Sequence, residues 1–337
     1  MKKILNNKYI ILIPIIILNI ISLFYLHNSS YWNKHLLYLF LSYLILFLCT
    51  KLNTNFIFKI SPYLYIFSLF LLTLVLIFGR EINGSKAWLH IFGLSIQPSE
   101  ISKLILTIYF SYLVIQNKNI IYLLIVLLIP SILTFLEPDT GAILLYIIIF
   151  LSTLKYLNIK KKYLIIGSIL IIVFLITNIS LYIINKDILI NIYGTKIFYR
   201  IDRLISFKEQ NNIQTINSLI SIGSHNLLYI PENHNDFIFA SLISKYNYLV
   251  FILIIVSYLS IFYYYLKNIT NKKNISNIIN FIILNMLLFQ VFYNILMNLS
   301  LLPIIGIPLP FLSYGGSYLI TLYTLIGISI NLNNKKV

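Results

Sequence analysis

A segment that crosses hydrocarbon finds no water for its backbone, so it must be a helix bonded to itself or a strand in a closed barrel. This chain of 337 residues is built mostly of such segments, at roughly 9–26, 36–50, 62–79, 99–116, 120–136, 141–157, 163–185, 237–266, 276–300 and 311–332. One helical crossing takes about 20 mostly apolar residues, and only the second run is markedly short of that. The runs are continuous rather than alternating, which argues against a barrel. The chain is also 59% hydrophobic and only 10% charged. The expectation is an all-α integral membrane protein with ten transmembrane helices, forming a single domain over 1–337. One large extracytoplasmic loop, about 186–236, is expected between helices 7 and 8, with no internal repeat.

Short loops rich in lysine stay in the cytoplasm. With the N-terminus inside, the inner segments collect Lys2, Lys3, Lys8, Lys51, Lys59, Lys118, Lys155, Lys160, Lys161, Lys162, Lys267, Lys272, Lys273, Lys335 and Lys336, most of the formal charge of +16. Ten crossings then put both termini in the cytoplasm. Scattered through short loops, these lysines form no compact basic domain, so nucleic acid is not an expected partner. The first run follows basic residues as a signal peptide would, but Asn28-Ser29-Ser30 is not a small-residue cleavage site of the usual kind, and the run is read as a retained helix. Cys49, the only cysteine, excludes intramolecular disulfides and reads as a small buried apolar group. In the large loop, Ile197, Phe198, Ile201, Leu204 and Ile205 recur at helical spacing around Arg200 and Arg203, as in an amphipathic helix lying at the interface.

The same topology places all nine acidic residues and all five histidines on the outer side. Carboxylates and imidazoles move protons, bind metals and position hydroxylated substrates, so the chemistry is expected there. Four clusters stand out. In Gln97-Pro98-Ser99-Glu100-Ile101-Ser102-Lys103, Pro98 suits a first helical turn, and Glu100 and Lys103 share a face. They fit a structural ion pair or a site in which Lys103 holds a carboxylate or a substrate anion. In Glu137-Pro138-Asp139-Thr140-Gly141, Asp139 is either a helix N-cap or a ligand-facing acid at a broken segment. In Pro231-Glu232-Asn233-His234-Asn235-Asp236, capping accounts for Asp236 but not for Glu232 and His234, whose proximity suggests acid–base or metal chemistry. In Gly306 through Ser317, glycines permit close approach while prolines prevent regular helix, giving a cavity wall or a rigid helix start.

Taken in order, these segments resemble the SEDS (shape, elongation, division and sporulation) family, which includes RodA and FtsW. The matching pieces are Gly84 through Trp88, Gln97 through Glu100 with Lys103, Glu137 through Gly141, Pro231 through Ala240 and Pro308 through Ser317, spread over almost the whole chain. Asn83 through Trp88 and Ile307 through Pro310 lie closer to the RodA side. The resemblance implies ten transmembrane helices in the bacterial cytoplasmic membrane and a peptidoglycan glycosyltransferase that polymerises lipid II. In that reaction a GlcNAc 4-hydroxyl displaces undecaprenyl pyrophosphate with inversion. It implies Asp236 as the general base, with Glu100 and Lys103 lining the same cavity and Lys103 able to pair with Asp236. Asp139 and Trp88 match further positions in or near the cavity. Arg200 and Arg203 resemble basic residues at the start of the large loop, and guanidinium suits pyrophosphate. Glu232, His234 and Ser313 complete the expected substrate-binding set.

The implied partners are lipid II, membrane lipids and a class B penicillin-binding protein transpeptidase. A divalent cation, Mg or Mn, suits the pyrophosphate leaving group, although no metal-ligand set in the sequence demands one. Departures from the family pattern are Ala87 before Trp88, Asn235 before Asp236, Tyr318, and a short loop after Ile222-Gly223-Ser224. Two other classes remain open at this point. One is a flippase for lipid-linked precursors, against which the nearly bare inner half counts. The other is a non-catalytic scaffold for a partner synthase, which the shortened loop allows.

Overall fold

Every long apolar run that the structure describes is helical, because only i→i−4 bonding satisfies the backbone of an isolated crossing. The structure, a computed structural model, describes residues 2–82, 85–91, 94–157, 185–193, 213–224 and 230–334, together with Thr177, Ser180 and Tyr182. The helices are α1 (Lys2–Leu26), α2 (Trp32–Cys49), α3 (Thr54–Phe78), α4 (Pro98–Ile115), α5 (Ile120–Leu136), α6 (Thr140–Leu154), α7 (Lys186–Tyr193), α8 (Ile213–Ser224), α9 (Ile238–Asn268), α10 (Ile275–Asn298) and α11 (Gly316–Asn334). Six of them (α1–α4, α9 and α10) are long and apolar enough to cross a membrane, and α5 and α6 are shorter apolar helices. Most of the expected seventh run, 163–185, lies outside the described residues, as does the expected interfacial helix around Arg200 and Arg203.

The all-helical expectation needs one correction. Between α3 and α4 the chain forms β1 (Arg80–Ile82), β2 (Ser85–Ile91) and β3 (Leu94–Ile96), an antiparallel sheet in the order β1-β2-β3. Arg80 pairs with Trp88 and His90 with Ser95. Both joins carry glycine, and Asn83-Gly84 is a dipeptide that hairpins favour. The apolar-run reading passes over such short elements.

The eighth run is not one straight helix. Asn247 leaves helical geometry (φ 61, ψ −167), which divides α9 into 238–246 and 248–268. Phe239 and Phe251 have ring centroids 6.1 Å apart, whereas twelve residues of straight helix would separate them by about 18 Å. The later part, 21 residues or about 31 Å, is enough to cross the bilayer by itself. The earlier part has its first seven residues, 238–244, buried in protein.

Close packing between membrane helices relies on small residues and amide bonds. A Cβ at Gly327 would stand 2.6 Å from Cys49 Cβ, so α11 and α2 approach closely, and Cys49 is buried at that contact as expected. Asn331 Nδ2 donates to the carbonyls of Cys49 (2.9 Å) and Leu52 (2.8 Å). Lys273 Nζ donates to Asn117 Oδ1 at 2.6 Å. The first contacts tie the end of α11 to the end of α2 and the loop after it, and the last joins the loop before α5 to the loop before α10. At the opposite ends of the helices, the segments expected outside meet in the same way. His35, just before the second apolar run, is part of α2. It is fully buried in α2, 2.9 Å from Ser22 Oγ of α1.

Candidate active site

Proline at the start of α4 sets the first segment, with Glu100 in its first turn. Three residues on, Lys103 shares its face. Lys103 Nζ donates to Glu100 Oε1 at 2.6 Å, and each residue is only 5% exposed. The ammonium also stands 5.9 Å from the ring centroid of Tyr318 in α11. The space enclosed here, bounded also by Gln290 and Thr321, is about 10 Å³, room for one water at most. Lys103 thus pairs with Glu100 in this structure, and no ion pair joins it to Asp236, the partner the resemblance implied, among the described residues.

Asp139 is the helix cap that the sequence allowed, and it also bonds across to α4. Its Oδ1 caps α6 by accepting from the Ala142 N–H at 3.0 Å, while Oδ2 accepts from Gln97 Nε2 (2.8 Å) and Ser99 Oγ (2.7 Å) at the start of α4. One carboxylate thus starts one helix and ties it to another. Glu137, just before it, is fully buried, with no hydrogen bond to either carboxyl oxygen among the described residues. Burial, and secondarily the charge of Asp139, push its pKa up to about 9, so it is a neutral acid near pH 7.

Asp236 sits at the end of a tight turn. The Glu232 carbonyl accepts from the N–H groups of Asn235 (3.0 Å) and Phe237 (3.2 Å), and Glu232 itself takes a left-handed φ of 57°. The buried Phe237 packs with Ile230, Ala240 and Met297 and anchors the turn. From α10, Asn294 Nδ2 and Asn298 Nδ2 donate to the Asp236 carbonyl at 2.9 and 3.0 Å. Asn294 Nδ2 also donates to the Ile307 carbonyl at 2.8 Å, joining the turn to the segment before α11. Burial raises the Asp236 carboxyl to about 7, with further contributions from Glu232 and Asp139.

The segment before α11 clasps the same turn. Ser313 Oγ accepts from the Leu309 N–H and donates to the Asn235 carbonyl, both at 2.8 Å, and the Tyr314 N–H donates to the His234 carbonyl at 2.9 Å. Ser313 is fully buried, so its hydroxyl is spent on holding the turn. The His234 ring stacks on Tyr31 (centroids 4.2 Å apart), and its Nε2 lies 3.8 Å from Glu232 Oε2. Burial lowers the imidazole pKa, partly countered by Glu232.

The structure therefore assembles Glu100, Lys103, Asp139, Glu232, His234, Asp236 and Ser313 from segments far apart in sequence. Trp88 is half-buried on β2 opposite Arg80, with no hydrogen bond or ring contact to the acid cluster among the described residues. Arg200 and Arg203 lie outside the described residues. Sequence reasoning missed Asn294 and Asn298, and also Gln97 and Ser99 as partners of Asp139. For the two asparagines a signal existed: amides four apart in an otherwise apolar span are costly unless they bond something. Chemically, a carboxyl that titrates near neutrality, held by its own backbone, is fitted to accept a proton from a substrate hydroxyl.

Residues 5–337 match the family model for FtsW, RodA and SpoVE, described as cell cycle proteins. A protein of Wigglesworthia glossinidia brevipalpis named "Probable peptidoglycan glycosyltransferase FtsW" is 32% identical, covering 90% of this chain and 84% of its own. One of the same name from Buchnera aphidicola of Schizaphis graminum is 30% identical, covering 87% and 88%. Among solved structures, a peptidoglycan synthase complex that coordinates polymerization and crosslinking contains a chain with TM-score 0.79 at 21% identity, covering 97% of both. The rod shape determining protein RodA of Thermus thermophilus superposes with TM-score 0.70 at 21% identity, covering 97% and 96%. The likenesses thus include FtsW by sequence and RodA by fold, and do not separate the two branches.

Proposed function

The chain belongs to the FtsW, RodA and SpoVE family of cell cycle proteins, and from that premise we propose how its site works. It is a peptidoglycan glycosyltransferase that polymerises lipid II at the outer face of the bacterial cytoplasmic membrane. The observation that carries this reading is Asp236: its carboxyl is held near neutrality by burial, and its backbone is fixed by two amides of α10. Asp236 takes the proton from the attacking 4-hydroxyl as the oxygen bonds to the anomeric carbon. The diphosphate leaves from the opposite side, inverting the configuration.

Within this mechanism, Asp139 couples the starts of α4 and α6, so that Glu100 and Lys103 hold a fixed relation to the turn. His234 and Glu232 are proposed to contact sugar, a reading that their partial exposure beside Asp236 supports. Trp88, Arg200 and Arg203 remain proposed substrate contacts, the two arginines for the diphosphate. A divalent cation, Mg or Mn, is proposed to travel with that diphosphate. Among the described residues no group of three or more His, Cys, Asp or Glu could hold it as a resident ion. Ten crossings, both termini inside and a class B penicillin-binding protein as crosslinking partner complete the proposal.

The test is polymerisation of lipid II by the purified protein in liposomes, with a divalent cation, with and without the partner. Wild type should make glycan strands, and Asp236→Asn, which keeps the shape and removes the base, should make none. If neither protein makes strands even with the partner present, the enzyme reading fails and the scaffold or flippase reading takes its place.

A further inference from the structure

An ammonium at the edge of a bilayer keeps its charge only where water, a partner or an anion meets it. Lys245 is exposed and has no carboxylate within ion-pair distance among the described residues. Two rings fix it instead: its Nζ stands 5.3 Å from the centroid of Tyr25 and 5.2 Å from that of Tyr246. Tyr246 OH donates to the Phe24 carbonyl at 3.2 Å, which sets Lys245 level with the outer end of α1. There it lines a groove of about 430 Å³ with Tyr25, Asn28, Tyr31, Asn233 and His234, a volume within the usual range for small-ligand sites.

The groove has one cation, two amides and three aromatic rings at its walls. Burial keeps the His234 imidazole pKa low, so Lys245 supplies its positive charge. The two helices that carry Tyr25 and Lys245 also have exposed apolar side chains close by in sequence, Ile20 and Phe24 on α1 and Tyr248, Leu249 and Ile252 on α9. Such side chains are the kind of surface on which the hydrocarbon chain of an anionic lipid headed at Lys245 would rest. This is the arrangement that basic pockets between membrane helices offer to phosphate headgroups.

We propose that this groove is a binding site for a phosphate-headed lipid, separate from the Glu100–Lys103 pair and opening onto the catalytic turn through His234. His234 stands two residues before Asp236 and is itself a wall of the groove. The favoured occupant is a polyprenyl-linked diphosphate, an identification that rests on the glycosyltransferase reading. The phosphate chemistry of the site does not rest on it.

The experiment is native mass spectrometry of the detergent-solubilised full chain, titrated separately with undecaprenyl diphosphate, phosphatidylglycerol and inorganic pyrophosphate. Wild type is compared with Lys245→Gln and with Lys34→Gln, an exposed cation that does not line the groove. Charge-assisted bonds are strong enough that Lys245→Gln should bind the phosphate lipids about tenfold more weakly, while Lys34→Gln matches wild type. Undecaprenyl diphosphate binding more tightly than phosphatidylglycerol supports the substrate lipid as occupant. Equal binding, still dependent on Lys245, supports a site for the common phosphate head. Lipid binding unchanged in Lys245→Gln, or equally reduced in both variants, overturns the proposal. A polymerisation assay on the same wild-type preparation separates the two claims: Lys245-dependent binding by wild type that makes no glycan strands, even with the partner, leaves the groove standing while the enzyme reading falls.

Discussion

Removing one half of the Glu100–Lys103 pair strands the other charge inside the bundle. The atoms meet at 2.6 Å and each residue is 5% exposed, so neither side chain can reach water where it stands. At an effective dielectric constant of about 20, unit charges at that separation attract by roughly 6 kcal/mol before desolvation is counted. Desolvation offsets much of this, and breaking a buried pair from one side costs about 3–5 kcal/mol in practice. Glu100→Gln and Lys103→Met should each destabilise by that amount. The double variant removes both charges and should fall short of the summed losses by at least about 2 kcal/mol. Equilibrium unfolding in mixed detergent micelles, followed through the chain's two tryptophans, Trp32 and Trp88, measures all four corners of the cycle. Strictly additive losses, or single variants within about 1 kcal/mol of wild type, would refute the argument, since then no unpaired charge is being buried. A stable double variant that still polymerises lipid II would confine the pair to a structural role.

Asp236 must be ionised to act as a base, so the polymerisation rate should rise through about pH 7 rather than through the ordinary carboxylate range; a rate already at its plateau by about pH 5, some two units lower, refutes this. Folding raises the pKa of Glu137 from 4.5 to about 9, so its acid form favours the native state. That contribution is complete below about 4.5, shrinks as pH rises and is lost by about 9. Glu137→Gln should unfold without this pH dependence and should gain on wild type as the solution becomes alkaline; parallel curves of midpoint against pH would sink the idea. Asn298→Leu frees one of the two amides on the Asp236 carbonyl and leaves the Ala240 N–H without its acceptor. It should cost about 1–3 kcal/mol of stability and lower kcat more than it changes KM, because the base is misplaced while the substrate contacts remain. An unchanged kcat would show that the turn holds without it.

The site was partly legible in the sequence, and what was legible follows physical type. Glu100, Lys103, Asp139 and Asp236 were visible because charge near a membrane span is expensive and stands out against apolar runs. Asn294 and Asn298 carry no charge, and their spacing in α10 shows only that two amides share a face, not which carbonyl they seek. The sheet at 80–96 and the break at Asn247 were hidden for a related reason. Hydropathy over a window of about twenty residues averages away three-residue strands and a single left-handed asparagine.

The sequence by itself determined that this is a membrane protein and that its long apolar runs, where the structure describes them, are helices, because hydrocarbon imposes those choices locally, segment by segment. It also carried the family, through short motifs read in order. Only the tertiary structure decided that Lys103 meets Glu100, that Asp139 joins α4 to α6, and that the Ser313 hydroxyl clasps the turn before Asp236. Those pairings depend on which loops meet in space, and helix packing settles that through close contacts such as Gly327 against Cys49. Each polar side chain had several partners compatible with its position in the chain. Burial favours the arrangement in which most of them are bonded together, Glu137 being an exception.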